Sequence, residues 1–149
     1  MDSLGALECS LESLLISYQY DASTESLVLV LDHPDRGAGA DRAFLRLRFM
    51  GVSAFRREPG TFADLQRFTE SYSARETQAT TVVQGIDIEQ RGGSVSIALS
   101  FGSFGELTFV CRSCSAESRR ARATQTRANT WTYQDSDDGK PMDFYNPFA

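Results

Sequence analysis

Apolar and polar residues alternate along much of the chain with a period of two, which is typical of half-buried β-strands. The first such run covers residues 14–20, and turn-forming residues separate it from the continuous apolar run at residues 27–31. This spacing predicts a β-hairpin whose second strand is covered on both faces. Further alternating runs lie at residues 43–50, 82–88, 95–101 and 107–111.

Two segments carry a helical pattern instead. Leu65 and Phe68 lie on one face of a segment that predicts a short helix at about residues 61–73. A short helix at residues 4–15 is the alternative reading of the N-terminus, because leucines repeat there at intervals of three and four. Residues 32–41 concentrate Pro, Gly and Asp, and this composition predicts a loop.

Regularly spaced strands with glycine-rich turns favour a mainly β fold, an antiparallel β-sandwich or open barrel of about six or seven strands with one short helix. Residues 1–114 are expected to form this domain. Residues 115–128 contain no large apolar side chain, so they predict a polar linker or an exposed helix. Residues 115–149 as a whole are expected to be this linker and an aromatic-rich tail packed on the same domain. The predicted core consists of Ile16, Leu29, Leu47, Phe49, Ile86, Ile97, Leu99 and Phe109.

Composition and charge narrow the class of protein. Apolar residues make up 41% and charged residues 23% of the 149, which is ordinary for one globular domain. No apolar run approaches the roughly 18 residues of a membrane helix, and nothing resembles a signal peptide. We therefore expect a cytoplasmic protein without a membrane partner, with secretion by a route lacking a cleaved signal left open. The net charge of −5 argues against non-specific nucleic-acid binding and favours a neutral or basic partner.

Metal binding would need every suitable side chain of the chain. One zinc ion could be held only by Cys9, His33, Cys111 and Cys114 together. A strand running through position 111 would place Cys111 and Cys114 on opposite faces, unless the strand ends there in a turn. His33 is expected to be a solvated loop residue, and the cysteines are expected to act as small buried hydrophobes. We therefore predict neither a metal site nor a cofactor.

No catalytic residue can be assigned, because the chain has no recognisable nucleophile–base or phosphate-binding motif. The arginines between residues 119 and 127 could form an anion-binding arm, but a solvated surface segment is favoured. The candidate binding residues are two arginines of the third predicted strand and three aromatic residues of the tail: Arg46, Arg48, Phe144, Tyr145 and Phe148.

The order of elements over residues 14–114 includes the segment LRLRFMGVSAF at residues 45–55 and strands that end in GELTF at residues 105–109. In this order the chain resembles small β-rich bacterial immunity proteins of polymorphic toxin systems. The resemblance implies a non-enzymatic protein that binds and neutralises a toxin encoded nearby, and it supplies no site residue. The net charge leaves a basic toxin as one candidate. Two other functions stay open: a structural or adaptor subunit of a bacterial secretion or contractile assembly, and a small-ligand-binding domain. The sequence also leaves open whether the chain forms a homo-oligomer.

Overall fold

The computed structural model describes residues 3–34, 41–60, 65–73, 81–128 and 130–149. Its elements are α1 (Ser3–Glu8), β1 (Leu14–Asp21), β2 (Ser26–Pro34), β3 (Arg42–Met50), β4 (Ser53–Pro59), α2 (Leu65–Ser73), β5 (Gly85–Arg91), β6 (Ser94–Ser100), a 3-10 turn (Gly102–Phe104), β7 (Gly105–Cys111), β8 (Ser113–Arg127), β9 (Thr130–Asp135) and β10 (Pro141–Met142). The predicted fold class is confirmed, since the chain is mainly β, antiparallel and has only short helices.

The strands form two antiparallel sheets. The larger sheet has the order β1-β2-β3-β8-β9-β10 and curls into a half-barrel, and the smaller sheet has the order β4-β7-β6-β5. The chain passes from one sheet to the other at two adjacent corners, one after Met50 and one after Cys111. At the first corner Gly51 takes a φ of 63°, a left-handed conformation in which glycine is favoured.

The main core lies between the two sheets and contains the inward-facing positions of their strands. Six of the eight predicted core residues are buried there: Leu29, Leu47, Phe49, Ile97, Leu99 and Phe109. Ile86 is half-buried against this cluster, and Ile16 is buried in a second cluster. The aromatic rings of Phe49 and Phe109 join the sheets edge to face, with centroids 4.8 Å apart. Period-two alternation therefore identified the core correctly.

The second cluster covers the opposite face of the six-stranded sheet, where Phe44 and Ala121 are fully buried. Phe68 of α2 and Met142 of β10 pack into the same cluster. The tail continues this cover, because the ring centroid of Phe144 lies 5.6 Å from that of Phe44. Residues of the tail therefore pack against the second cluster of this sheet.

The expectation of a linker or exposed helix at residues 115–128 is wrong. Residues 115–127 belong to β8, a 15-residue strand that pairs with β3 on one side and β9 on the other. Polar pairs replace apolar ones along this strand: Glu117 binds Arg46, and Arg119 binds Asp135 at 2.7 Å. Backbone hydrogen bonds and ion pairs hold β8 in place, so this strand forms although its sequence shows no apolar alternation. With β8, the separate strand β4 and the two-residue strand β10, the described residues contain ten strands rather than about six or seven.

Other boundaries differ from the expectations in smaller ways. The predicted loop at residues 32–41 is shorter, because β2 continues to Pro34 and β3 begins at Arg42; residues 35–40 lie outside the described residues. The predicted start of the helix, residues 61–64, also lies outside them. At the N-terminus only Ser3–Glu8 is helical, because β1 begins at Leu14.

Candidate functional site

The four metal-ligand candidates line two different cavities. Cys9 and His33 line one of about 400 Å³, and Cys111 and Cys114 line another of about 330 Å³. β7 ends at Cys111 and β8 begins at Ser113, so the turn allowed for in the sequence exists and brings Cys111 and Cys114 to the same cavity. All three cysteines are free thiols; Cys111 is buried and Cys114 half-buried, but Cys9 is exposed, so the expectation of a small buried hydrophobe is wrong for Cys9. Among the described residues, no group of three or more His, Cys, Asp or Glu side chains is arranged to hold a metal ion.

His33 is not the solvated loop residue that the sequence suggested. It lies in β2, is half-buried, and its Nδ1 is 2.9 Å from the hydroxyl oxygen of Ser13. This geometry resembles a nucleophile with its base, but Ser13 has no solvent exposure. A substrate could not reach its hydroxyl group without a rearrangement, so the pair stabilises the packing of β2 against the segment before β1.

The five candidate binding residues differ in their contacts within the fold and in their exposure to solvent. Arg46 forms an ion pair with Glu117 and lies under the ring of Phe148, 4.7 Å from its centroid. Arg48 is exposed. The rings of Phe144 and Tyr145 are half-buried, with centroids 5.3 Å apart. Of these five residues, Arg48 is therefore the most accessible to another molecule.

One part of the larger sheet extends beyond its neighbours, and we call it the arm: residues 122–134, of which residue 129 lies outside the described part. β3 pairs with β8 only as far as Ala121, so beyond that point β8 pairs with β9 alone. β10 pairs with only two residues of β9, Tyr133 and Gln134. Along most of the arm, both outer strand edges are therefore unpaired within the described structure.

The side chains of the arm are polar or basic apart from two aromatic residues and two alanines. Its charged residues are Arg122 and Arg127, both exposed, and it contains no carboxylate. Trp131 is 43% exposed, a large value for an indole ring. The register places Trp131 opposite Gln125 and places Arg122 opposite Gln134, so Trp131 and Arg122 lie on different faces of the arm.

On the Trp131 face, the arm forms one wall of an open cleft of about 880 Å³. The cleft is lined by Leu14, Arg42, Trp131, Tyr133, Phe144 and Tyr145, together with neighbouring polar and backbone groups. The rings of Tyr133 and Phe144 lie 5.4 Å apart, and the tail residues supply the opposite wall. Four aromatic side chains and one guanidinium group thus surround the same space.

Arg42 is held at the cleft by a carboxylate that solvent cannot reach. The Nη1 atom of Arg42 lies 3.4 Å from an Oδ atom of Asp32, which has no solvent exposure. Among the described residues, none donates a hydrogen bond to either carboxylate oxygen of Asp32. Burial raises the pKa of Asp32, and the charge of Arg42 opposes part of that rise. Arg42 also donates a hydrogen bond to the side chain of Tyr133. Burial raises the pKa of the Tyr133 hydroxyl group.

Sequence reasoning named Phe144 and Tyr145, which line the cleft, but it missed Asp32 and Arg42 because it assigned these two residues to one loop or its boundary. They are neighbours across β2 and β3, on the face that also carries Phe44. Continuing the alternation of Val28 and Val30 by one step to Asp32 would have placed that carboxylate on a covered strand face. Nothing in the sequence alone indicated that Trp131 lies near either residue.

Comparisons with known proteins add little to this description. No family model matches the chain, and no curated protein shows significant sequence similarity to it. Among solved structures, an uncharacterized protein from Neisseria gonorrhoeae is similar with a TM-score of 0.45 and 10% identity, over 72% of this chain and 91% of that one. A likeness at this level indicates no shared function. Within the described ranges, no helix has the length and apolar character needed to cross a membrane.

Proposed function

We propose that this chain is a non-enzymatic domain that binds another protein, and that it acts as a toxin-neutralising protein of the immunity type. The arm is the observation that carries the proposal. Along most of its length, its outer strand edges have no partner strand among the described residues, and they lie beside an exposed tryptophan, Trp131. Tryptophan is among the residue types most enriched at the energetic centres of protein interfaces.

A two-stranded ribbon is only marginally stable by itself, because it lacks the third strand or packed face that would cover it. An unpaired strand edge also offers hydrogen-bond donors and acceptors to any chain that can pair with it. Thr130 and Thr132 of β9 lie along such an edge. A partner that adds a strand there would supply the missing hydrogen bonds and cover Trp131.

The charge of the arm refines the expected partner. The net charge of −5 alone favours a neutral or basic protein, but Arg122 and Arg127 are the only charged residues of the arm. Contacts at short range are screened less than the field of the whole molecule. We therefore expect the partner surface that meets the arm to be acidic, whatever the partner's overall charge.

The test is to co-purify the chain with the product of its neighbouring gene and to measure the binding kinetics. Trp131→Ala should weaken the complex by more than about tenfold, as expected of an interface centre. Leu11→Ala removes another exposed apolar side chain outside the arm and is the matched control, because Leu11 is 46% exposed. Failure of the two proteins to form a complex would contradict the toxin-neutralising proposal in its simple form.

Charge reversal tests the electrostatic part separately. Arg122→Glu should slow association, mostly at low salt, whereas Arg48→Glu on β3 should change it much less. Faster association of Arg122→Glu would show that the partner surface is basic, as net charge alone suggested. A complex that forms only between copies of this chain would replace the toxin with a homo-oligomer.

A further inference from the structure

We propose that the cleft beside the arm binds a small molecule that combines a planar aromatic ring with an anionic group, the ring lying among the aromatic walls and the anion on Arg42. This site is on the face of the arm opposite Arg122. It shares Trp131 with the protein interface proposed above, so the small molecule and the protein partner would compete, but its binding is tested on the chain alone. Carboxylate and phosphate are the two anions that fit a guanidinium group in this way.

The aromatic side chains that line the cleft indicate that the ligand contains a planar ring. Trp131, Tyr133, Phe144 and Tyr145 line the space, and Trp131 leaves 43% of its surface exposed although apolar packing partners are close by. Aromatic rings pair favourably in stacked or edge-to-face contacts. A planar ring in the cleft would cover the exposed face of Trp131, which the chain itself leaves uncovered.

The guanidinium group of Arg42 indicates that the ligand carries an anionic group. Arg42 and Asp143 are the charged side chains among the described residues that line the cleft, and a carboxylate oxygen of Asp143 already accepts the Tyr145 amide at 3.0 Å. A guanidinium group has five N–H donors. The described polar neighbours of Arg42 are Asp32 and Tyr133, so donors remain for a ligand. Asp32 fixes the position of the guanidinium group from the buried side.

The chain contains one tryptophan, so a single indole N–H signal in a proton–nitrogen NMR spectrum reports on the cleft. The probes are benzoate, phenyl phosphate, benzamide and acetate. Benzoate should shift this signal saturably and should bind more tightly than benzamide, which lacks the charge, and than acetate, which lacks the ring. Tighter binding of phenyl phosphate than of benzoate would assign the anion as a phosphate, and the reverse order would assign a carboxylate.

Variants test whether Arg42 holds the anion. Arg42→Gln is combined with Asp32→Asn so that no buried carboxylate loses its counter-ion, and the double variant should bind the preferred anion at least about tenfold more weakly. Arg48→Gln removes an exposed arginine of the same strand and should leave binding unchanged. Tyr145→Ala should weaken benzoate more than acetate, because it removes part of the ring contact.

Three results would overturn the proposal. The first is no saturable shift of the Trp131 signal with either benzoate or phenyl phosphate. The second is equal affinity for benzamide and for both anionic ring compounds, which would leave Arg42 without a role. The third is an equal loss of affinity in the Arg48→Gln control and the double variant, which would indicate general charge attraction. The unliganded spectrum of each variant shows whether it is folded.

Discussion

The backbone amide of Arg112 donates a hydrogen bond to the carbonyl oxygen of Met50 at 3.0 Å, which ties together the two corners where the chain changes sheets. Gly51 lies between Met50 and the start of β4, and the side chain of Arg112 passes over it. A Cβ atom at position 51 would lie 3.0 Å from the Arg112 side chain. The two corners therefore depend on each other sterically.

Gly51→Ala should lower the free energy of unfolding by about 1–2 kcal/mol from the left-handed backbone alone, with a further loss from the contact with Arg112. Gly92→Ala is the matched control, because Gly92 has a φ of 60° but nothing lies within 4 Å of the added Cβ. Urea unfolding of both variants separates the two costs. Equal losses would show that the Arg112 side chain moves aside without cost.

Leu99→Ala should lower the free energy of unfolding by about 2–5 kcal/mol, because it leaves a cavity in a close-packed core. Leu99 is 1% exposed and lies in the main cluster between the sheets. Ser100→Ala, the next residue on the same strand, points to the other face and should change stability by less than about 0.5 kcal/mol. A loss below about 0.5 kcal/mol for Leu99→Ala would mean that the core relaxes into the space.

Asp32→Asn should raise stability at neutral pH. Burial raises the pKa of Asp32 in the folded chain, so ionisation costs stability above the unfolded-state pKa. The cost is absent below the unfolded-state pKa, grows as pH rises from that value to the folded-state pKa, and is constant above it. The gain of the variant should approach about 1.4 kcal/mol for each unit by which the pKa is raised, and it should disappear in acid.

Asp135→Asn is the opposite case and serves as the comparison in the same pH series. Hydrogen bonds, first from Arg119 and then from the Asp137 amide, lower the pKa of Asp135. That carboxylate contributes stability above its unfolded-state pKa, and the contribution is lost as pH falls through the folded-state pKa. Urea unfolding across pH should therefore give opposite trends for the two variants. The same trend in both would contradict the assigned environment of Asp32.

Thiol reactivity should separate the three cysteines. Cys9 is exposed, while burial raises the pKa of Cys111, and burial together with Cys111 raises the pKa of Cys114 to about 11. The thiolate is the reactive form, so an aromatic disulfide reagent should label one thiol per chain quickly at neutral pH. Cys9→Ser should abolish the fast phase, and denaturant should expose the other two. Two fast thiols in the folded chain would contradict this assignment.

The sequence predicted those strands in which one face is apolar and the other polar, because burial on one side produces the alternation that can be read. It could not predict β8, whose neighbours satisfy its backbone while both of its faces remain largely polar. The cleft could not be predicted from the sequence for a related reason. Arg42 and Tyr133 are far apart in the chain, and only the register of β3, β8 and β9 brings them to the same face.

The length of β8 sets how far the chain can reach. At roughly 3.3 Å per residue, the six residues of β8 beyond Ala121 extend roughly 20 Å past the end of β3 at Arg42. A molecule held at the tip would stand clear of the body of the domain and would leave most of its surface in contact with water. Mutations on that surface would then spare binding, whereas a one-residue deletion within the arm would turn Trp131 to the other face of the sheet.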